Sequence, residues 1–335
     1  MRITVDQINQ VFASFKKMKA LVIGDVMIDA YVMGRVDRIS PEAPVPIVRV
    51  KNIENRLGGA ANVALNLASL DITPILAGVV GDDVAGKTFA QLLKKHKLDA
   101  SGIVTFKTRP TTVKTRVMGN NGQMLRIDEE TEEPLKKAER KLFIDTIVSL
   151  IESEKPNVVI FEDYDKGIID ETLIEKVVKA CAKKKIPIAV DPKKQNFLAY
   201  KNVTLFKPNL KELREGLHTD NNLSDEKDLF DAVKKLEKKL GNTLSLVTLS
   251  ERGVLIGTKG LHKIIPAHYR TIVDVSGAGD TVIAVAAACL AAGAEPQMIA
   301  ELANMAGGLV CEKPGVVPIN KNELIAEAQK LLALK

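Results

Sequence analysis

The amino-acid sequence predicts an α/β fold with a doubly wound, mostly parallel sheet flanked by helices and a small antiparallel β-sheet as a lid. Short apolar runs bounded by turn residues indicate buried strands, and helical patterns lie between them. Two stretches interrupt this alternation with strand-like residues and no helix. These features predict one domain over residues 1–335, with lid segments at about 30–54 and 111–128.

The predicted strands of the main sheet carry nearly continuous apolar runs, which is typical of parallel strands buried on both faces. The strands are Ala20–Ile23, Ile75–Gly78, Val158–Phe161, Ile188–Val190 and Leu244–Val247. Helices are predicted at about 59–70, 83–97, 135–152, 170–184, 209–217, 224–239, 277–293 and 296–311. An amphipathic helix is expected before the first strand. This regular alternation of strand and helix predicts the doubly wound arrangement.

The predicted lid consists of short strands without a helix. Its second segment contains Asn120-Asn121-Gly122 between two strand-like runs, a pattern typical of a β-hairpin. A lone sheet of short strands protects its edges poorly. We therefore expect a homodimer that forms through the lid and covers its apolar residues, which are Val32, Val45, Ile47 and Val48.

The amino-acid composition argues against several classes of function. The chain has 335 residues, of which 46% are hydrophobic and 27% charged, as in folded globular proteins. The net charge of +6 is spread over helical lysines, and aromatic residues make up 4% with no tryptophan, which argues against nucleic-acid binding. The three cysteines are far apart, and no apolar run reaches the length of a membrane span. We expect a cytoplasmic protein that binds neither nucleic acid nor membrane.

The strongest local motif is Gly277-Ala278-Gly279-Asp280, which precedes an apolar helix. Glycines at the start of a helix allow backbone N–H groups to approach an anion, and the helix dipole favours negative charge there. An aspartate in the first turn can accept a proton from an attacking hydroxyl. The motif therefore predicts a phosphoryl-transfer site, although Asp280 also fits a helix-stabilising first-turn acid.

Further polar residues follow predicted strands, where ligands bind in open α/β sheets. Asp25 and Asp29 follow the first strand, and paired carboxylates suit hydrogen bonds to sugar hydroxyls. Gly58 and Gly59 open a helix that carries Asn62 in its first turn, which fits either a ligand site or a tight loop with a buried amide. The remaining strand-end candidates are Asp191, Lys193 and the segment Lys207–Glu212. Within that segment, Asn209 and Glu212 also fit a capping box.

The segment Gly81–Thr88 matches the phosphate-binding pattern G-x-x-x-x-G-K-[ST] and suggests a rival site centred on Lys87. Asp82 and Asp83 argue against it, because they place negative charge in a loop whose amides would hold phosphates. The acidic strand end at Glu162 and Asp163 resembles the magnesium-binding strand of enzymes that carry this phosphate-binding loop. The alternative site at Lys87 therefore stays open.

Three motifs in order, Gly58–Asn62, Asn209–Glu212 and Asp274–Asp280, resemble the ribokinase-like (phosphofructokinase-B) carbohydrate kinases, and the resemblance covers about residues 19–330. Within this family, segments 24–31, 38–46 and 191–193 are similar to kinases that phosphorylate the anomeric hydroxyl of D-glycero-β-D-manno-heptose 7-phosphate in lipopolysaccharide biosynthesis. The resemblance implies ATP and Mg²⁺ as cofactors and a small-molecule sugar phosphate as the substrate.

The resemblance also implies roles for individual residues. It implies Asp280 as the catalytic base, with an anion hole formed by Gly277, Ala278 and Gly279. It implies Asn209 and Glu212 as organisers of magnesium, through water. It implies sugar-binding residues, which are Asp25, Asp29, Gly58, Gly59, Asn62 and Asp191. It implies ATP-side residues, which are Asn209, Glu212, Thr248, Ser250, Gly253, Asp274 and Asn304.

The phosphate that the substrate already carries requires basic side chains. We nominate Lys193 first, then Arg116 and Arg126 on the lid hairpin, each of which also fits a solvated surface charge. One departure from the family concerns a second, nucleotidyltransferase domain that many heptose kinases carry. The H-x-G-H element of that domain is absent from this sequence, so we expect kinase activity only.

Overall fold

The computed structural model describes residues 3–120, 122–219 and 221–332. Every predicted helix and strand is present, with boundaries that differ by a few residues. The helices are α1 (Val5–Ser14), α2 (Ala60–Ser69), α3 (Val84–Lys95), α4 (Lys137–Glu154), α5 (Glu171–Lys184), α6 (Leu210–Leu217), α7 (Glu226–Leu240), α8 (Ala278–Ala291), α9 (Pro296–Cys311) and α10 (Lys321–Leu332). The strands are β1 (Lys19–Gly24), β2 (Val26–Ile39), β3 (Pro46–Gly59), β4 (Thr73–Gly81), β5 (Asp99–Phe106), β6 (Thr112–Gly119), β7 (Gly122–Glu129), β8 (Val158–Glu162), β9 (Ile188–Asp191), β10 (Leu205–Phe206), β11 (Leu244–Thr248), β12 (Val254–Thr258) and β13 (Leu261–Ile265).

The main sheet has nine strands in the order β13-β12-β11-β10-β9-β8-β1-β4-β5. The strands from β11 to β5 pair in parallel, and β12 adds antiparallel pairs with β11 and β13. The strand order reverses between β1 and β8, which creates the switch point where open α/β sheets bind ligands. The predicted fold class is therefore confirmed.

Two hydrophobic cores cover the faces of the main sheet, because successive side chains of a strand point to opposite faces. In β1, Ala20 and Val22 enter the core that contains α2, α8 and α9, whereas Leu21 and Ile23 enter the core that contains α4 and α5. Helix α8 is buried along nearly its whole length. Its first turn is thereby fixed against the carboxyl edge of the sheet.

The smaller sheet has four strands in the order β3-β2-β6-β7 and forms the predicted lid. Pairs β2–β3 and β6–β7 are antiparallel, and β2 pairs with β6 in parallel. The predicted hairpin is present, with Gly119 opposite Gly122, while Asn121 lies outside the described residues. Only Asp25 separates β1 from β2, so the lid joins the main sheet directly at the switch point.

The longest apolar helices are buried in the protein core. Helices α8 and α9 have 14 and 16 residues and pack against each other beneath the sheet. In the described ranges, none of the helices combines the length and apolar character that a membrane span requires.

Candidate active site

Carboxylates from neighbouring strands meet at the switch point. Glu162 ends β8, and its strand neighbours are Gly24 of β1 and Asp191 of β9. The backbone N–H of Asp25 donates to the carbonyl of Glu162 over 3.1 Å. Asp25, Glu162 and Asp191 are all buried, so this edge of the sheet concentrates carboxyl groups away from water, and burial raises the pKa of Asp25 and of Glu162.

Asp280 lies in the first turn of α8 and is 5% exposed. The side-chain amide of Asn62 donates to Oδ2 over 2.7 Å, and the Tyr164 hydroxyl donates to Oδ1 over 2.8 Å. Burial raises the pKa of Asp280 to about 6, against the lowering effect of these two hydrogen bonds. At neutral pH the carboxylate is therefore charged and basic enough to accept a proton.

Backbone geometry at the start of α8 requires glycine. Gly277 is the N-cap with φ of 77°, and a Cβ there would lie 2.9 Å from the Asn62 side-chain nitrogen. No described side chain caps this helix, and Gly279 is exposed. The amide of Ala278 makes only a long, 3.3 Å hydrogen bond to Val275. The first turn can thus present N–H groups to an anion, as the motif predicts.

Asp25 lies on the sugar side of the predicted site. Its Oδ2 accepts hydrogen bonds from the backbone N–H groups of Tyr164, over 2.7 Å, and Lys166, over 3.3 Å. Its Oδ1 is buried and has no hydrogen-bond partner among the described residues. Burial first, and then the nearby Asp163 carboxylate, raise the pKa of Asp25 to about 7. An unpaired buried oxygen is costly, which favours a ligand hydroxyl at this position.

Asp29 lies on the lid strand β2 and forms a 2.5 Å ion pair with Arg116 of β6. The guanidinium of Arg116 also lies 5.4 Å from the centre of the Tyr31 ring. Arg126 lies directly opposite Arg116 on β7 and pairs with Asp128 over 2.9 Å. The predicted sugar-side residues of the lid are thus joined by charge pairs.

Two lysines that follow β9 and β10 form ion pairs with carboxylates. Lys207 and Asp191 form a 2.7 Å ion pair, and both side chains are almost fully buried. Lys193 pairs with Glu212 over 2.5 Å and lies 5.3 Å from the centre of the Tyr164 ring. The lysine nominated for the sugar phosphate therefore lies at the junction between the two sides of the site.

Asn209 and Glu212 form the capping box of α6. The Asn209 side chain accepts from the Glu212 amide, and the Glu212 carboxylate accepts from the Asn209 amide, each over 2.8 Å. Both carboxylate oxygens of Glu212 are engaged, one by this amide and one by Lys193. The capping interpretation is confirmed, and the role in organising magnesium stays a prediction.

The other ATP-side candidates lie around the same edge of the sheet. Thr248 ends β11 and bridges to Asn209, and the turn that follows includes exposed Ser250 and Gly253 with φ of 91°. Asn304 of α9 donates to the carbonyl of Pro266, the residue after β13. Thr248, Ser250 and Gly253 thus lie at and after the end of β11, and Asn304 reaches the end of β13.

Asp274 shapes the loop before α8. Its two carboxylate oxygens accept the backbone N–H groups of Ser276 and Gly315, each over 2.9 Å. These hydrogen bonds lower the pKa of Asp274 against the opposing effect of burial. Asp274 therefore holds the loop that leads to Gly277, and the predicted contact with ATP stays a prediction.

The segment Gly81–Thr88, which matches the phosphate-binding pattern, forms the capped start of α3. Asp83 caps α3 and accepts hydrogen bonds from the Gly86 amide and from both the amide and the hydroxyl of Thr111. A Cβ on Gly86 would lie 2.2 Å from the Gly81 carbonyl, so no space for a phosphate exists between them. Lys87 is exposed. The Asp83 carboxylate occupies the place that a phosphate would take.

Sequence reasoning assigned no site role to Tyr164, and it named Glu162 and Lys207 only as parts of an acidic strand end and of the segment Lys207–Glu212. Tyr164 contacts Asp280, Glu162 lies between Asp25 and Asp191, and Lys207 pairs with Asp191. A signal existed for two of them: Glu162 and Lys207 each come at the end of a buried strand. Tyr164 lies in a loop whose path the sequence pattern does not reveal.

The chain is similar in sequence to known proteins over most of its length. The pattern of the pfkB family of carbohydrate kinases matches residues 17–322. Proteins named bifunctional protein HldE from Methylobacillus flagellatus and Helicobacter pylori are each 40% identical, over 309 and 297 residues that cover 92% and 89% of this chain. The alignments cover 63% of each relative, so the chain matches less than two thirds of their length.

Solved structures share the fold at low sequence identity. Phosphofructokinase-2 from Escherichia coli in complex with fructose-6-phosphate has a TM-score of 0.76 at 18% identity, and the match covers 94% of this chain and 99% of that one. Ribokinase from Arabidopsis thaliana complexed with ribose and ATP has a TM-score of 0.70 at 20% identity, with 92% and 98% covered. The sequence match over residues 17–322 shows that the chain belongs to the pfkB family of carbohydrate kinases.

Proposed function

We propose that this chain transfers the γ-phosphoryl group of ATP to the anomeric hydroxyl of D-glycero-β-D-manno-heptose 7-phosphate, as the kinase step of ADP-heptose synthesis in the cytoplasm. The observation that carries the proposal is the buried Asp280 carboxylate at the uncapped start of α8. Segments 24–31, 38–46 and 191–193 support the choice of sugar through their resemblance to heptose kinases. Another sugar or sugar-phosphate kinase of the same family is the alternative.

In this mechanism Asp280 accepts the proton of the anomeric hydroxyl. The hydroxyl oxygen forms a bond to the γ-phosphorus as the bond to the β-phosphate oxygen breaks, and ADP leaves. The first-turn amides of α8 and the ammonium of Lys207 stabilise charge on the transferring group. Asp25 and Asp29 hold sugar hydroxyls, so that most of the rate gain comes from positioning. The lid excludes water that would otherwise hydrolyse ATP.

The residues present fit a magnesium ion bound with ATP. Glu162 Oε2 is buried without a hydrogen-bond partner among the described residues, and magnesium prefers carboxylate and water oxygens. Glu162 would hold the ion, with Glu212 and Asn209 acting through water. When bound, the ion neutralises charge on the β- and γ-phosphates. No described group of three or more acidic, histidine or cysteine side chains is arranged as a metal site, in keeping with an ion that keeps several waters.

The face of the lid that carries Asp29 offers positive charge for the phosphate of the substrate. Like charges directly opposite on neighbouring strands repel, and Arg116 and Arg126 form such a pair. A phosphate dianion between them would relieve the repulsion and accept charge-assisted hydrogen bonds. Lys193 is the other candidate, because it reaches the junction beside Tyr164.

The opposite face of the lid supports a homodimer. One row of directly paired residues crosses all four strands, formed by Ile53, Val32, Val117 and Leu125. Ile53 and Leu125 are 61% and 56% exposed, which is unusual for apolar side chains packed in a row. A second lid would cover this row. The dimer would also protect the exposed strand edges.

The test is ATP consumption measured across a panel of sugars and sugar phosphates. We expect turnover to be highest with D-glycero-β-D-manno-heptose 7-phosphate, and to depend on Asp280. Higher turnover with another sugar phosphate would support the alternative kinase. Binding of sugar phosphates with no turnover of any would overturn the proposal in favour of a sugar-binding regulator.

A further inference from the structure

Tyr164 contacts three candidate site residues at once. Its hydroxyl donates to Asp280 Oδ1 over 2.8 Å, and its backbone N–H donates to Asp25 Oδ2 over 2.7 Å. The ammonium of Lys193 lies 5.3 Å from the centre of its ring, within the range of a cation–π interaction. Tyr164, in the loop after β8, therefore contacts the candidate base Asp280, the carboxylate of Asp25 and the ammonium of Lys193.

The two hydrogen bonds to Asp280 come from residues that differ in burial and in secondary structure. Asn62 is fully buried in α2, and Asn66 one turn later donates to its carbonyl over 2.9 Å. Tyr164 lies in a loop and is only partly buried. Asn62 thus fixes Oδ2 from within the core, whereas Oδ1 is held from the cleft side. A substrate hydroxyl that approaches from the side of this loop would meet Oδ1 first.

The loop that carries Tyr164 is itself held in place. The ammonium of Lys166 pairs with Glu130 over 2.8 Å and with Glu132 over 3.3 Å, just after the lid strand β7. On the other side of Tyr164, Asp165 accepts the backbone N–H of Gln195 over 3.3 Å, and the amide of Asp165 donates to Asp163 over 2.9 Å. These contacts hold the loop on both sides of Tyr164, next to the hydroxyl that donates to Asp280.

We propose that Tyr164 is a positioning residue for phosphoryl transfer: its hydroxyl holds Oδ1 of Asp280 so that the remaining lone pair faces the attacking sugar hydroxyl. The inference rests on the proposed role of Asp280 as the base. A carboxylate oxygen accepts two hydrogen bonds, so one position on Oδ1 stays open for the substrate. The reaction slows on the order of 100-fold when a catalytic group is misplaced by about 1 Å. A contact that holds the base in place therefore has a measurable effect on kcat.

Electrostatics support a donor at this position. The ordinary pKa of a tyrosine is about 10, so the phenol keeps its proton near neutral pH and can donate to Asp280. Its hydrogen bond opposes the effect of burial on the pKa of Asp280. The other charged groups that act on Asp280 are Asp191 of β9 and Lys207 after β10, with Glu162 of β8 also close enough to interact.

The test is the pH dependence of kcat in Tyr164→Phe, which removes the hydroxyl and keeps the ring. We expect kcat at pH 8 to fall by about 10-fold. The acid limb of the profile should move up by about one pH unit, because a lost hydrogen bond to the carboxylate raises the pKa of Asp280. KM for ATP should change little. Tyr164→His keeps a ring and a donor and should recover part of kcat.

Tyr200→Phe is the matched control. It removes a 2.7 Å hydrogen bond from a buried tyrosine to Asp163, which does not touch Asp280. This variant should keep the wild-type pH profile. Wild-type kcat and pH profile in Tyr164→Phe, while Asp280→Asn is inactive, would overturn the positioning role and leave the proposed function intact. An equal loss of kcat at every pH, with no recovery in Tyr164→His, would also overturn it. An active Asp280→Asn variant would instead overturn the proposed function.

Discussion

Gly58 and Asp29 approach each other so closely that a Cβ on Gly58 would lie 2.2 Å from Asp29 Oδ2. Gly58→Ala should therefore displace the Asp29 carboxylate and break its ion pair with Arg116. We expect a loss of about 1–3 kcal/mol in the free energy of unfolding, typical of overpacking, and a higher KM for the sugar. Thermal melting and initial rates check this. Gly122→Ala is the control, because its nearest neighbour lies at 3.8 Å; equal effects in both variants would contradict the account.

The residues that bind the substrate phosphate can be identified by comparing KM values of variants that lack single basic side chains. Lys193→Ala and Arg126→Ala should each raise KM for the phosphorylated sugar by about 10-fold or more, as expected for a lost charged hydrogen bond. KM for ATP should stay near wild type. Arg49→Ala is the control, because this exposed lid arginine faces Asp37 at 4.0 Å, away from Asp29. A candidate whose removal leaves KM for the sugar phosphate unchanged does not hold the phosphate.

The apolar row on the lid predicts the oligomeric state. Leu125→Asp places a charge at the β7 end of the proposed contact and should shift the protein from dimer to monomer in sedimentation velocity at micromolar concentration. Leu261→Asp, at the far edge of the main sheet and 51% exposed, should leave the dimer intact. A monomeric wild-type protein with full activity would contradict the proposed dimer.

Asp25 makes the stability of the protein depend on pH. Its pKa rises from 3.8 to about 7 in the folded state, so the folded protein keeps a proton that the unfolded chain releases. Stability contributed by this proton is present at low pH and is lost as the pH rises towards 7. Asp25→Asn cannot ionise, so its melting temperature should exceed that of the wild type by about 2–8 °C at pH 8. The difference should shrink at pH 5; a difference that does not depend on pH would contradict the assigned pKa.

Apolar periodicity predicted the fold well because most elements are long and carry a clear pattern. The predicted helix at 296–311 matches α9 to the residue, and the hairpin around Asn120 is present. Strand β10 was missed because its two residues are too short for any pattern, and β5 because its first residues are polar and exposed. Both depend on pairing with neighbouring strands, which local sequence does not encode.

Motif order selected candidate site residues because the motifs place polar side chains at strand or helix ends, two of them together with glycine. Contacts between distant segments could not be predicted. Tyr164 reaches Asp280 across 116 positions of sequence, and Lys207 pairs with Asp191 only because β9 and β10 are neighbours. The pairing of Arg116 with Asp29 likewise follows from the parallel pairing of β6 with β2, which no hairpin pattern reveals.

Two substitutions in one assay test the central claim that Asp280 is the base. Asp280→Asn keeps the shape of the side chain but cannot accept the proton. We expect kcat to fall by about 10²–10⁴ with ATP affinity nearly unchanged. Lys87 is exposed on α3, so Lys87→Ala should change the free energy of unfolding by no more than about 0.5 kcal/mol and leave turnover near wild type.

The most direct measurement is kcat of Asp280→Asn beside Lys87→Ala, at saturating ATP and heptose 7-phosphate, with thermal melting of each variant to confirm folding. The account predicts a nearly inactive Asp280→Asn and a fully active Lys87→Ala. An active Asp280→Asn together with an inactive, folded Lys87→Ala would contradict it and move the chemistry to the loop between Gly81 and Thr88.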